Sequence, residues 1–255
     1  MGKTKKQTKR KTSSKIKDVP FAKTIHKGTM ASKGSIIYEY QDYSNIMDVL
    51  ELILSENKKL EKQVQLFKKD PTDAFLTIDL YLKQRIYPEY LKMKEFNKEL
   101  KSYVDKKKVH FIPIIVNIRY TKRDNHANMV LMNLKDMTVE LFEPHGNRLT
   151  DSTIGGIEGG YKKKTIFIHN FFHKHFPEFK VINVNRSLHG RSFQVLHDPR
   201  EHTGYCVTWS LLYTHYRILN PNVSIDKLIR YMDQKIDTKL LLQYAQYSEN
   251  LLKGK

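Results

Sequence analysis

The chain has 255 residues, 40% of them hydrophobic and 28% charged, which is enough for one large domain with a real core. Its formal net charge of +18 suits a polyanionic partner such as nucleic acid, but it fits a lysine-rich surface equally well. A single cysteine excludes an internal disulfide and a multi-cysteine zinc site and fits a reducing compartment, and no apolar run nears the roughly 20 residues that span a bilayer.

Residues 1–18 carry Lys3, Lys5, Lys6, Lys9, Arg10, Lys11, Lys15 and Lys17, with no large apolar residue between Met1 and Ile16. Such a segment cannot bury enough surface to order itself and is expected to be a disordered basic arm. It suits nucleic-acid contact or nuclear import, and also simple solubility. With no apolar stretch behind its charges, it does not read as a secretory signal. From Ser44 to about Lys69 the apolar positions Ile46, Val49, Leu50, Leu52, Ile53, Leu60, Val64 and Leu66 recur at helical spacing, with Ser44 as N-cap and Pro71 as the stop. Pro88 suits the first turn of a second helix running to about Lys107. Residues 19–108 therefore read as an α-rich N-terminal region without evident chemistry.

The texture changes at Val109. "VHFIPIIVNI" reads as a buried strand, with Pro113 tolerable near an edge or bulge. "ANMVLMNL" (127–134) and "TVELFEPH" (138–145) are two further strands around a Lys135-Asp136 turn. A Gly-rich loop follows, then a helix over 162–176 and a short strand over 181–185. Helices are expected over 205–219, 224–236 and 238–252, broken at Asn220-Pro221. Strands set between helical blocks give an α+β fold with a central sheet over 109–255.

The only cysteine, Cys206, stands at the start of the helix expected from about 205. Unpaired N–H groups and the positive end of the helix dipole stabilise a thiolate there, which is the form that attacks. A nucleophile of this kind needs a base, and the base needs an orienting group. His126 opens a strand after a polar loop. A two-residue turn at Lys135-Asp136 would pair Asn128 with Glu143, making His126 and Glu143 diagonal neighbours on one face. A carboxylate so placed can hold the imidazole's tautomer and stabilise its charged form.

The order His, Glu, Gln, Cys, with "HANMVLMNLKDMTVELFEPHG" followed by "GYCVTWSLLY", resembles the adenovirus maturation protease and its relatives. These include the ubiquitin-like-protein (SUMO) proteases and the core proteases of poxviruses and asfarviruses. The motifs look closer still to cysteine proteases encoded by giant DNA viruses. The resemblance covers about 109–220, and it implies an adenain/SUMO-protease-like core with Cys206 as nucleophile, His126 as general base and Glu143 as its orienter. The family's oxyanion-hole glutamine lies six or seven residues before its cysteine, where this chain has Arg200 and Pro199. Gln194, twelve residues before Cys206, is the glutamine available for that part. Ala127 stands where the family tends to have tryptophan.

The resemblance implies a cysteine endopeptidase that needs no cofactor and cuts after glycine-rich, Gly-Gly-like sites, maturing viral structural precursors in the virion and the host cytoplasm. The basic arm (Lys5, Lys6, Lys9, Arg10, Lys11) would hold it near nucleic acid, and the nucleus is a further destination it would suit. No membrane association is expected. Three alternatives stay open: a deubiquitinase or SUMO-type isopeptidase acting on host conjugates, an acetyl transferase with the same catalytic order, and a non-catalytic nucleic-acid-binding virion protein on a protease scaffold. "HNFFHKH" places His169 and His173 one helical turn apart but lacks the HExxH spacing, and "IGGIEGGYKKKT" lacks the Gly-Lys-Ser/Thr ending of a phosphate loop, so no metal or nucleotide site is expected. The pairs Gly155-Gly156 and Gly159-Gly160 would suit self-cleavage, or simply a flexible loop. Trp209, one turn after Cys206, is expected in the core beneath the site.

Overall fold

The computed structural model describes residues 15–25, 43–67, 70–106, 109–122, 125–144, 160–185, 193 and 205–254. The apolar run "FIPIIVNIR" forms β3 (Phe111–Arg119), buried along nearly its whole length because both its faces are covered. It pairs antiparallel with β4 (Asn125–Asn133), and β4 pairs antiparallel with β5 (Thr138–Phe142). On one flank β1 (Phe75–Asp79) lies parallel to β3 and carries the antiparallel edge strand β2 (Arg85–Pro88). On the other flank β6 (Lys180–Asn183) lies parallel to β5. The result is a six-stranded mixed sheet in the order β2-β1-β3-β4-β5-β6, flanked by helices, as the α+β reading expects.

The helices are α1 (Tyr43–Ser55), α2 (Lys58–Glu61), α3 (Met93–Lys106), α4 (Gly160–His175), α5 (Cys206–Leu219), α6 (Ile225–Lys235) and α7 (Thr238–Lys253). Helix α5 lies on the sheet face that carries Glu140 and Phe142: Tyr213 donates to Glu140 at 2.6 Å and stacks on Phe142 at 4.6 Å. Helices α1 and α7 pack around it. Helix α4 covers the other face and meets α3 through the Phe96–Phe171 ring contact. A buried ion pair locks α5 down. Arg217 Nε lies 3.0 and 2.9 Å from the two Glu140 carboxylate oxygens, and its Nη1 donates to the carbonyls of Asn220, Pro221 and Val223 just beyond the helix end. Among the described residues no helix is long and apolar enough to cross a membrane.

Four local expectations need correction. The end of the arm expected to be disordered over 1–18 is docked: the Lys17 N–H donates to Asn220 Oδ1 at 2.7 Å, and Asp18 accepts from the Tyr216 and Tyr231 hydroxyls. The helix expected over 44–69 stops at Ser55, and the Asn57 side chain accepts from the N–H groups of Lys59 and Leu60 to start the short α2. Residues 63–65 are then drawn into backbone bonds with His110 and Phe111 at the start of β3. Pro88 ends β2 rather than opening a helix, and α3 begins five residues later. The stretch between the two expected helices is a β-hairpin whose first strand is buried at every position, so the sheet draws on both sides of residue 109. Pro113 sits inside β3, between neighbouring strands. It is tolerated because β1 begins only opposite Ile115, which leaves that end of β3 without a β1 partner.

Candidate active site

The β4–β5 register is the one a Lys135-Asp136 turn dictates. Met129 faces Phe142 and Asn133 faces Thr138, and continuing the ladder by one pair puts Asn128 opposite Glu143. Glu143 is the first residue past β5, and Pro144 has no N–H with which to extend the ladder. Asn185, just after β6, replaces the missing strand bonds. Its Oδ1 accepts the Glu143 N–H at 3.0 Å, and its Nδ2 donates to the Glu143 carbonyl at 2.9 Å.

So clamped, the Glu143 carboxylate is fully buried and fully engaged. One oxygen accepts from His126 Nε2 at 2.8 Å. The other accepts from Asn128 Nδ2 at 2.7 Å and from the ammonium of Lys164, which projects from α4 and also donates to the Tyr120 hydroxyl at 3.3 Å. With Nε2 held by the carboxylate, Nδ1 is the imidazole nitrogen left for the thiol. His126 is 4% exposed, and its ring centroid lies 6.4 Å from that of Tyr120 at the end of β3.

Cys206 is the first residue of α5, and its thiol meets both the His126 side chain and the backbone N–H of Ala127. The helix start has no side-chain cap from Tyr205, so its amide dipoles bear on the thiol. Burial pushes the thiol pKa up. The His126 charge, the His126 hydrogen bond and the Ala127 N–H outweigh it, and the Cys206 pKa ends below the ordinary thiol value. Burial likewise pushes His126 down, but the Glu143 carboxylate and the Cys206 sulfur raise its pKa to about 9. These shifts favour a thiolate–imidazolium pair at neutral pH.

Three of the four residues singled out in the sequence, Cys206, His126 and Glu143, therefore meet at one end of the sheet. Gln194 lies outside the described residues, as do Pro199, Arg200, Gly155, Gly156, Gly159 and the basic-arm residues Lys5, Lys6, Lys9, Arg10 and Lys11, while Gly160 opens α4. Trp209 is fully buried beneath the site against Phe193, at 5.0 Å between ring centroids. His169 and His173 stack at 6.1 Å on α4, while His175 turns to Asn97. Among the described residues no cluster of three or more His, Cys, Asp or Glu is arranged to hold a metal.

Asn128, Lys164 and Asn185 join the site without having been singled out in the sequence. Asn128 was open to prediction, because the turn that aligns His126 with Glu143 also pairs Asn128 with it. Lys164 carries a fainter sign: it falls in step with Ile168, Phe171 and Phe172 on the buried side of α4.

No family model matches the chain, and no curated protein matches it. Among solved structures the chain is similar to ChlaDub1 from Chlamydia trachomatis, with a TM-score of 0.39 and 13% identity over 61% of this chain and 67% of that one. It is similar to the Chlamydia trachomatis effector Cdu1, solved bound to ubiquitin, with a TM-score of 0.37 and 13% identity over 64% and 67%. It is also similar to the SUMO protease Ulp1, solved with its catalytic cysteine oxidised to a sulfenic acid, with a TM-score of 0.39 and 10% identity over 89% and 81%. That protein belongs to the group whose motifs the sequence resembles. At such scores these likenesses carry no weight of their own, and the chemistry of the site rests on its side chains.

Proposed function

We propose that the chain is a cysteine peptidase in which Cys206 is the nucleophile, His126 the general base and acid, and Glu143 the orienter. One observation carries the reading: the only thiol of the chain sits at a helix N-terminus, against an imidazole whose far nitrogen is held by a buried carboxylate. That arrangement supplies the thiolate, the proton store and the tautomer control that acyl transfer needs. The thiolate attacks the substrate carbonyl carbon, forming a C–S bond and an oxyanion. The backbone N–H of Cys206 and Gln194 are the donors we assign to that oxyanion. The C–N bond breaks as His126 passes its proton to the leaving amine. Water then attacks the thioester with His126 taking its proton, and the carboxylic acid product leaves with the ion pair restored.

The peptidase unit is drawn at residues 109–255, with β1 and β2 completing its sheet from the preceding region. We extend the reading to cleavage after glycine-rich sites in viral structural precursors, with the basic arm near nucleic acid. Its support is the joint order and spacing of "HANMVLMNLKDMTVELFEPHG" and "GYCVTWSLLY". The test treats wild type and Cys206→Ala with a Gly-Gly vinyl-sulfone peptide and with ubiquitin and ubiquitin-like activity probes, reading adducts by intact mass. Fast labelling of wild type alone by the peptide supports precursor processing. Labelling by the full-length ubiquitin-type probes only replaces it with the isopeptidase activity. Labelling of wild type no faster than a free thiol, with and without DNA, refutes the peptidase.

A further inference from the structure

The site contains one charged group that acyl transfer by a cysteine, histidine and carboxylate does not require. Lys164 is 2% exposed, comes from a different element than any catalytic residue, and places its ammonium on Glu143 with Tyr120 as a second partner. Burying an ammonium so completely is unfavourable unless the charge is matched. We infer that Lys164 is a positioning residue whose charge balances Glu143 and thereby lets the Cys206–His126 ion pair form. The inference rests on the reading of Cys206 as a thiolate nucleophile.

In a poorly solvated cluster the charge count decides which protonation state forms. Among the described residues, the titratable groups around the thiol are His126 on β4, Glu143 after β5, Tyr120 just past β3 and Lys164 on α4. In the reactive state the charges alternate: thiolate, imidazolium, carboxylate, ammonium. They sum to zero. Remove the ammonium and the same state carries a net negative charge in a site that solvates it poorly. The neutral alternative then keeps imidazolium and carboxylate and leaves the thiol protonated. An imidazole and a carboxylate alone would therefore trade away the thiolate they are meant to support. With Lys164 present, ionising the thiol and protonating His126 leaves the cluster neutral. Lys164 itself stays charged, since Glu143 and Tyr120 outweigh the effect of its burial. The same cation donates to the Tyr120 hydroxyl, whose pKa is raised by burial and, to a lesser degree, by the charges of Glu143 and Cys206.

The single cysteine makes the test direct and independent of substrate: the pH dependence of Cys206 alkylation by iodoacetamide reports its ionisation alone. In wild type the midpoint lies below the ordinary thiol value. Lys164→Met is expected to raise it by about one pH unit, a roughly tenfold loss of thiolate on the acid side of the curve. Lys164→Arg keeps the charge and is expected to keep most of the thiolate. Lys164→Gln retains a donor for Glu143 and Tyr120 while dropping the charge, so it gives the same upward shift if the methionine variant does not fold. A folded Lys164→Met or Lys164→Gln protein, judged by circular dichroism and thermal melting, whose midpoint matches wild type overturns the inference and leaves the peptidase reading standing. A wild-type midpoint near that of a free thiol, about 8.5, overturns both.

Discussion

Arg217→Met separates what holds α5 in place from what makes its first residue reactive. The Arg217 guanidinium makes three contacts of 2.9 to 3.0 Å with Glu140 and donates from Nη1 to three carbonyls beyond the helix end. Removing it leaves a fully buried carboxylate without its cation; among the described residues it keeps the Tyr213 hydroxyl at 2.6 Å and Asn133 at 3.1 Å. Breaking a buried pair from one side typically costs about 3–5 kcal/mol, because the remaining charge stays desolvated. For a chain of this size that corresponds to a melting point lower by about 10 °C. Urea denaturation of wild type, Arg217→Met and the double variant Glu140→Met/Arg217→Met gives the cycle. The double variant should recover part of the loss, since both charges go together, while Tyr213, Asn133 and the three carbonyls still lose a buried partner. Arg217 and Cys206 are eleven residues apart on one helix, about 16 Å along its axis. Among folded Arg217→Met molecules the alkylation profile of Cys206 should therefore match wild type. A loss below about 1 kcal/mol, within the range of an exposed pair, would refute the view that this buried pair anchors α5.

His126→Ala removes the strongest force lowering the Cys206 pKa and leaves burial to push it up, so thiolate at pH 7 should fall below the few per cent expected of a free thiol, read by alkylation rate. Turnover should decline as pH rises through about 9, where His126 loses the proton it must give the leaving amine; a pH–rate profile with no alkaline limb below 10 contradicts this assignment. The sign is that of a raised histidine: its charged form is fully populated below the ordinary value and lost above the shifted one. Asn185→Ala deletes both bonds that clamp the Glu143 backbone. At about 1 kcal/mol per net hydrogen bond, roughly 2 kcal/mol of stability should go, with kcat reduced more than KM is raised.

How far the site is legible in the sequence depends on where its contacts run. Cys206 stands out because a small polarisable residue opens an apolar helix, and His126 with Glu143 because one hairpin register fixes both. Strand register has a period of two, so the alignment that joins them also holds Asn128. Lys164 is hidden within "YKKKT", where three lysines in a row read as a solvated face and only helical phase marks one as inward. Asn185 lies 42 residues from the backbone it clamps, and no local pattern encodes such a pairing. The β1–β2 hairpin escapes a sequence reading for a related reason. Its first strand is only five residues long, and the alternation in "LTIDL" is too brief to stand out between two helical stretches.

The distance in sequence between Ala127 and Cys206 has a consequence for the nascent chain. His126 and its carboxylate come from a hairpin that closes locally and early, whereas the thiol arrives on α5 only after a further 62 residues have followed Glu143. Until α5 docks on the sheet, the cysteine has neither imidazole nor Ala127 N–H beside it. It titrates as an ordinary, mostly protonated thiol, slow toward electrophiles and oxidants alike. Reactivity is thus gated by completion of the fold, and the thiol of an undocked α5 is no more reactive than a free one.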